Sequence, residues 1–306
     1  MKKIMILGST GFIGSNLVKS LKKNYYLIEV SKSKGINLLN LQKIKNKIKE
    51  TNPNIIINCA ANQGSLHYFI KKTADLAYEN MTMTLNIYKA IQEIKKKPTI
   101  INLLANCSYS GSSKIQKEKN WWDGLPHHTA LSSGFRGRLI HVLSEAYKLQ
   151  YGIKSINFII PGVYGPGNHL ENDKLHALDG LILRMIKAKK KNSKFFEIWG
   201  SGNPKREWCY VEDLIKFIKI LIKEQKEIIF PINLGQKKGY SIKFLANTIA
   251  KKIKYNGNLI FNKKFPDGAL IKILDNNLFK KRYPKFKFTT IEKGIRKSVD
   301  YYNKVI

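Results

Sequence analysis

The chain has 306 residues, 43% of them hydrophobic, and a formal net charge of +34 at pH 7. This length is enough for a large buried core in one domain or two interleaved ones. Only six of the 55 basic residues are arginines, and the lysines are spread over nearly every segment. Since no helix-turn-helix, zinc or RNA-binding pattern accompanies this charge, we expect no nucleic-acid partner. The three cysteines have no CxxC spacing, which favours a reducing cytoplasm. No apolar run is long enough to span a membrane, so no membrane partner is expected.

The first predicted strand, from Lys3 to Leu7, leads into glycines at three-residue steps and then a helical pattern. Gly8 permits a tight turn, Gly11 lets the backbone approach a pyrophosphate, and Gly14 lets the helix pack on the strand. Phosphates then lie at a helix N-terminus, so the spacing predicts a bound dinucleotide. The residues assigned to this turn are Gly8, Thr10, Gly11, Phe12, Ile13 and Gly14.

The end of the second predicted strand bears on the choice between NAD and NADP. An acidic side chain there suits the ribose hydroxyls of NAD, whereas a small polar residue followed by a basic one suits a 2′-phosphate. The sequence reads Glu29-Val30-Ser31-Lys32, so Lys32 favours NADP. Glu29 remains the alternative acidic partner for NAD.

Farther along the chain, strand-like runs alternate with amphipathic helical runs, which is typical of a doubly wound parallel sheet. Further strands are predicted at Tyr25 to Val30, Asn54 to Cys59, Thr99 to Leu104 and Lys154 to Ile160. Helices are predicted at Leu41 to Glu50, Asp75 to Lys96 and Ser132 to Tyr151. We predict an α/β Rossmann-type domain over residues 1–160 and a smaller α/β substrate-binding lobe over residues 161–306, with residues 205–240 returning to the first domain.

Several segments carry a family resemblance that extends over almost the whole chain in order. They include the GxxGxxG turn, Asn58-Cys59-Ala60-Ala61-Asn62-Gln63-Gly64, Asn106-Cys107-Ser108-Tyr109, Val163-Tyr164-Gly165-Pro166, Trp199-Gly200-Ser201-Gly202, Tyr210-Val211-Glu212-Asp213 and Pro266-Asp267-Gly268. The chain resembles the extended short-chain dehydrogenase/reductases, and among them the GDP-L-fucose synthase family. The resemblance implies cofactor contacts at Ala60 and Ala61 and a homodimer that includes the helix over Ser132 to Tyr151.

In that family a cysteine and a histidine exchange protons beside a 4-keto group, and a Ser-Tyr-Lys triad then assists hydride transfer from NADPH. Cys107 falls on the cysteine and His176 on the histidine, whereas Ser133 stands at the tyrosine, Gly137 at the lysine and Ala105 at the serine. A serine hydroxyl is far less acidic than a phenol, so Ser133 is a degenerate catalytic position. Arg138, beside Gly137, is a candidate source of positive charge. Tyr109 either donates a proton from another direction or packs in the core.

The implied substrate contacts are Arg184, Trp199, Arg206 and Asn106. Guanidinium groups suit a diphosphate and sugar hydroxyls. The predicted function is therefore a nucleotide-sugar enzyme, an epimerase or epimerase-reductase, acting on a GDP-linked 4-keto sugar, with NADP or NAD as cofactor and no metal. The alternatives are a non-catalytic paralogue that binds cofactor or nucleotide-sugar, and a reductase with a relocated proton donor.

Overall fold

Six parallel strands form the main sheet of the protein, in the order β11-β6-β4-β3-β1-β2. The computed structural model describes residues 1–171, 175, 177–265, 267 and 269–306. Within these residues the strands are β1 (Lys3–Leu7), β2 (Tyr26–Val30), β3 (Ile55–Asn58), β4 (Thr99–Ala105), β5 (Ile115–Gln116), β6 (Ser155–Ile160), β7 (Gly162–Tyr164), β8 (Phe195–Trp199), β9 (Lys205–Arg206), β10 (Trp208–Tyr210), β11 (Ile228–Asn233), β12 (Tyr240–Ser241), β13 (Asn258–Asn262) and β14 (Ile271–Leu274). The helices are α1 (Phe12–Leu21), α2 (Leu41–Thr51), α3 (Leu66–Lys71), α4 (Thr73–Ile91), α5 (Leu131–Tyr151), α6 (Ala177–Lys190), α7 (Val211–Glu224), α8 (Ile242–Ile253), α9 (Asn277–Arg282) and α10 (Ile291–Val305).

The main sheet is buried on both faces, because the side chains of each strand alternate between two helical layers. In β1, Ile4 and Ile6 belong to the core that includes α1 and α7, whereas Met5 and Leu7 belong to the core that includes α2 and α4. The chain winds from β1 to β2 on one side and to β3 on the other. This reversal opens a crevice at the carboxyl ends of β1 and β3, which is where doubly wound sheets bind ligands.

A second hydrophobic core lies in the C-terminal part of the chain. It is built by α6, α8 and α10 around the two-stranded sheet of β8 and β13. Strand β11, at Ile228–Asn233, instead pairs with β6 in the main sheet. Two short ladders join β14 to β9 and to β5 and so bring residues of the C-terminal part beside the turn after β4.

The prediction of a doubly wound α/β fold is confirmed. Each predicted strand is present within a residue or two, and so is each predicted helix except the one over Asp75 to Lys96. That helix begins at Thr73 and ends at Ile91. The structure adds α3, β5 and every element after β6, for which no individual bounds were predicted. The two-residue strands among them are too short to show a hydrophobic period.

Candidate active site

The glycine turn after β1 has the geometry of a phosphate cradle. Gly8 has φ +77°, and a Cβ there would lie 2.9 Å from the Cα of Ala60. Gly11 is the N-cap of α1 and has no capping side chain. A Cβ on Gly14 would lie 2.1 Å from the carbonyl oxygen of Gly8, whereas one on Gly11 would meet only that oxygen, at 3.4 Å. Gly8 and Gly14 are therefore required by the fold itself, while Gly11 keeps the space above the helix N-terminus open for a ligand.

The other side chains of the turn are divided between core and surface. Phe12 and Gly14 are buried, Ile13 is half-buried, and Thr10 is exposed. The hydroxyl of Thr10 accepts a hydrogen bond from Ser33 Oγ at 3.1 Å, which ties the turn to the end of β2. A dinucleotide fits this arrangement, because the open N-terminus of α1 and the end of β2 lie side by side.

The acidic alternative at the end of β2 is already engaged. Glu29 Oε2 lies 3.0 Å from Lys34 Nζ. Lys32 is exposed in the turn Lys32–Lys34 that follows β2. Among the described residues Lys32 has no carboxylate partner, and its exposed side chain is available to a phosphate.

Ala60 and Ala61 follow β3 on the same edge of the sheet. Ala60 is buried against Gly8, and its carbonyl oxygen accepts a hydrogen bond of 2.9 Å from Arg136 Nη2 of α5. Ala61 is half-buried. The residues assigned to the cofactor therefore come together at the carboxyl ends of β1, β2 and β3.

Cys107 lies in the turn Asn106–Ser108, directly after β4. It is half-buried and makes no disulfide. Burial raises the pKa of the Cys107 thiol, and the cations of Lys272 and Arg136 act against that rise. Asn106 contributes its carbonyl oxygen to a bond from Gln116 Nε2, 3.1 Å long. The turn is therefore held to β5, with the thiol facing positive charge.

Two positions of the missing triad, Ser133 and Gly137, are filled in ways that do not rebuild it. Ser133 is buried, and its Oγ lies 3.1 Å from Nε2 of Gln63. A Cβ on Gly137 would lie 2.1 Å from Ser108 Oγ, so α5 packs against the turn after β4 too closely for a lysine. Arg138 does not take the place of the lysine, because its guanidinium donates from Nε to the carbonyl oxygen of Ser108 and from Nη2 to that of Asp123.

Tyr109 packs in the core. It is 1% exposed, its hydroxyl donates to Asn233 Oδ1 at 2.8 Å, and its ring meets the edge of Trp121. Burial and the Glu118 carboxylate raise the pKa of Tyr109 well above its ordinary value. The second of the two roles considered for this residue is therefore the one observed, and a reductase that uses Tyr109 as its donor loses support.

A positively charged edge faces Cys107, and sequence reasoning missed most of it. Lys272 of β14 is in register with Arg206 of β9. The rings of His127 and His128, before α5, lie 4.3 Å apart. Burial lowers the pKa of His127, as do the nearby cations Lys272 and Arg206. Such a cluster is suited to the diphosphate of a nucleotide.

Arg184 and Trp199 lie together on the lobe. The Arg184 guanidinium is 5.4 Å from the ring centre of Phe196. Trp199 is exposed, stacks on Phe265 at 4.5 Å, and donates from Nε1 to Glu197 at 3.0 Å. Arg206 is in register with Lys272, and the Asp267 carboxylate that acts on Arg206 also accepts hydrogen bonds from Ser201, two residues after Trp199.

His176 lies outside the described residues, so the structure gives no position for it. Among the residues that are described, no group of three or more His, Cys, Asp or Glu side chains is arranged to hold a metal ion. In the same part of the chain, no helix is both long and apolar enough to cross a membrane.

Comparison with known proteins agrees with this geometry. Residues 4–235 match the NAD dependent epimerase/dehydratase family. The chain belongs to that family. It is therefore an enzyme of the extended short-chain dehydrogenase/reductase type, with a nicotinamide dinucleotide as cofactor. The predictions of fold, enzyme class and cofactor class are confirmed.

Individual relatives match along their whole length. The GDP-L-colitose synthase of Yersinia pseudotuberculosis is 28% identical over 309 residues, which cover 98% of this chain and 97% of that protein. The GDP-L-fucose synthetase of Naegleria fowleri bound to NADP has a TM-score of 0.84 at 23% identity, with 99% of this chain and 94% of that one covered. A GDP-6-OMe-4-keto-L-xylo-heptose reductase from C. jejuni has a TM-score of 0.86 at 24% identity, covering 100% of this chain and 98% of that one.

Proposed function

We propose that this enzyme epimerises a GDP-linked 4-keto sugar, with Cys107 and His176 exchanging protons at carbons beside the ketone, and that net reduction is slow. The observation that carries the proposal is the position of Cys107, at the carboxyl edge of the sheet and facing Lys272. The name of the Yersinia relative supports a GDP-sugar as substrate. Arg206 and Lys272 are the residues we assign to its diphosphate.

The chemistry requires an acid and a base on opposite sides of an acidified C–H bond. A thiolate at Cys107 takes the proton, and the electron pair of that bond moves towards the ketone oxygen. The imidazolium form of His176 donates a proton to the other face and becomes neutral imidazole, which inverts the carbon. Both groups need pKa values close to the working pH, and the cations beside Cys107 oppose the effect of its burial.

Reduction additionally requires an acid that protonates the ketone oxygen. The bound cofactor supplies hydride chemistry, but Ser133 is a poor acid and already pairs with Gln63. A general acid typically contributes a factor of about 10² to 10⁴. We therefore expect enolisation to remain available while reduction falls by about that factor.

We further propose that NADP binds in preference to NAD. Lys32 is exposed beside the glycine turn, and Glu29 is paired with Lys34. A charge-assisted contact to a 2′-phosphate contributes on the order of 1–3 kcal/mol. Calorimetry should give the tighter binding for NADP(H), and Lys32→Ala should remove most of the difference while leaving NAD(H) unchanged. Equal affinities in the native enzyme would overturn this preference.

The proton exchange is tested with GDP-4-keto-6-deoxymannose in D₂O, with and without NADPH, followed by mass spectrometry. We expect deuterium uptake into the sugar without NADPH, suppressed by Cys107→Ser. Cys209→Ser is a suitable control, because that thiol is buried in the core on the α7 side.

Two results would contradict the proposal. Oxidation of NADPH at ordinary enzymatic rates with this ketone would show that reduction is intact. Absence of both exchange and reduction with several 4-keto nucleotide-sugars would favour the non-catalytic alternative for these substrates.

A further inference from the structure

Arg136 is a buried cation with no carboxylate partner among the described residues. Only 6% of the surface of Arg136 is exposed to solvent. The guanidinium donates from Nη2 to the carbonyl oxygen of Ala60 at 2.9 Å, and Nε is buried without a hydrogen-bond partner in the described part of the chain. Burial lowers the pKa of Arg136 to about 10. A buried guanidinium is costly unless an anion compensates it, so its presence points to a negative charge that forms nearby.

The groups that face Arg136 come from three elements. Cys59 follows β3, Cys107 follows β4, and Tyr88 belongs to α4. None of them is a carboxylate, and each becomes negatively charged only when it loses its proton. Burial raises the pKa of Cys59 to about 12, and Tyr88 is fully buried among hydrogen-bonding partners. Cys107, which also faces Lys272 of β14, is the one of the three that lies at the proposed reaction site.

The packing of α5 brings Arg136 to this position. A Cβ on Gly134 would lie 2.8 Å from the carbonyl oxygen of Cys107, and one on Gly137 would meet Ser108. These two glycines let the helix lie directly against the turn that carries the thiol. Arg136 points from between them towards Ala60, whereas Arg138 donates to the backbone carbonyl oxygens of Ser108 and Asp123.

We propose that Arg136 is a positioning residue whose fixed positive charge increases the fraction of Cys107 that is present as the thiolate for the proton exchange. This inference rests on the proposed function. When the thiolate removes a proton from the carbon beside the ketone, the thiol forms and the electron pair of the C–H bond becomes that of an enolate. Negative charge thereby passes from Sγ to the ketone oxygen. Arg136 acts before that step by increasing the fraction of Cys107 that can accept a proton.

The test is the pH dependence of Cys107 alkylation by iodoacetamide, measured on the intact protein without substrate and resolved by peptide mass spectrometry. Only the thiolate reacts, so the rate reports its fraction. We expect Arg136→Gln to slow alkylation of Cys107 about tenfold at pH 8, which corresponds to a pKa about one unit higher. Arg136→Lys, which keeps the charge, should stay within about threefold of the native rate.

Arg138→Gln is the matched control, because it removes a second buried guanidinium from the same helix. We expect its alkylation profile to stay within about twofold of the native one. The inference is wrong if folded Arg136→Gln has the native profile, or if Arg138→Gln shifts the profile equally. Should Arg136→Gln fail to fold, a folded Arg136→Lys protein with a tenfold slower reaction would also overturn it.

The outcome is separable from that of the proposed function. If the alkylation rate of Cys107 depends on Arg136 but the protein exchanges no substrate protons, the effect of Arg136 on the thiolate is supported and the proposed epimerase activity is contradicted. If substrate proton exchange depends on Cys107 but the pH dependence of Cys107 alkylation does not depend on Arg136, only the role of Arg136 is contradicted.

Discussion

Single residues in the glycine turn have separable roles, which leads to the first prediction. Gly11→Val should fold normally, since the backbone is extended there with φ −75° and a Cβ has room. It should nonetheless abolish NADP(H) binding, because the added methyl groups occupy the space that a pyrophosphate needs. Calorimetry measures the binding, and thermal unfolding measures the stability.

Gly14→Ala is the matched comparison. A Cβ there would approach the Gly8 carbonyl oxygen to 2.1 Å, so we expect a loss of about 3 kcal/mol in the free energy of unfolding. If Gly11→Val still binds cofactor, or if Gly14→Ala is as stable as the native protein, the assignment of these roles is wrong.

A buried carboxyl group makes stability depend on pH. Asp179 is fully buried and accepts hydrogen bonds from Gly165 N and Asn168 Nδ2, and burial raises its pKa to about 7. The native state therefore binds a proton that the unfolded chain releases near pH 4, and stability falls as the pH rises from about 4 to 7. We expect Asp179→Asn to remove on the order of 3 kcal/mol of this fall, measured by urea unfolding across that range.

Glu207 must be considered in the same experiment. It is also buried, and burial raises its pKa to about 7, so part of the slope remains in the Asp179→Asn protein. A slope identical to that of the native protein would show that Asp179 is not the group responsible.

At the scale of elements, the close approach of α5 to the turn after β4 prevents restoration of the triad lysine. A Cβ on Gly137 would lie 2.1 Å from Ser108 Oγ and 3.0 Å from Ser108 Cβ. We expect Gly137→Ala to lower the free energy of unfolding by about 1–3 kcal/mol and Ser108→Gly in the same chain to recover most of it. Chemical denaturation provides the measurement.

Gly180 offers a control within another helix. Among the described residues, a Cβ there meets only Leu175, at an ordinary 3.6 Å, so Gly180→Ala should stabilise the protein by up to about 1 kcal/mol through helix propensity. Equal effects at the two glycines would show that packing against Ser108 is not the cause.

The long elements could be predicted from the sequence because they show a period. Buried strands such as β3 and β4 read as continuous apolar runs, and Pro53 and Pro98 separate them from the preceding helices. The motifs also located the glycine turn and Cys107.

The rest of the site depends on contacts without a local signal. The ladder that brings Lys272 beside Arg206 is only two residues long, which is too short for any alternation. The direction of Arg136 depends on the phase of α5 against its neighbours. Arg138 was the candidate in the sequence, but it lies two residues farther along, which is about 200° around the helix.

At the scale of the whole molecule, the positive charge is spread over most of the chain, but cations are also concentrated at the edge that faces Cys107. The described ion pairs lie mostly at exposed or half-exposed positions, as in Lys47 with Glu50, where each pair contributes little. At the edge that faces Cys107, by contrast, Lys272 and Arg206 are in register on neighbouring strands, and Asp267 is the carboxylate that acts on Arg206. An anionic substrate is therefore attracted to that edge, and the attraction should weaken at high salt.

The outer face of the α4 and α5 pair supports the last prediction, a homodimer. These helices pack side by side on the main sheet and leave apolar side chains exposed, among them Tyr78, Leu85, Val142 and Leu149, the last of them 87% exposed. Two copies joined through this face would bury those side chains in a four-helix arrangement.

We expect sedimentation to give a dimer for the native protein and a monomer for the double variant Val142→Lys with Leu149→Lys, since two unpaired charges in each copy would be buried. The pair Phe195→Lys with Ile260→Lys adds the same charge on the exposed strands β8 and β13 and should remain a dimer. A native monomer, or equal dissociation of both double variants, would show that this face does not join the subunits.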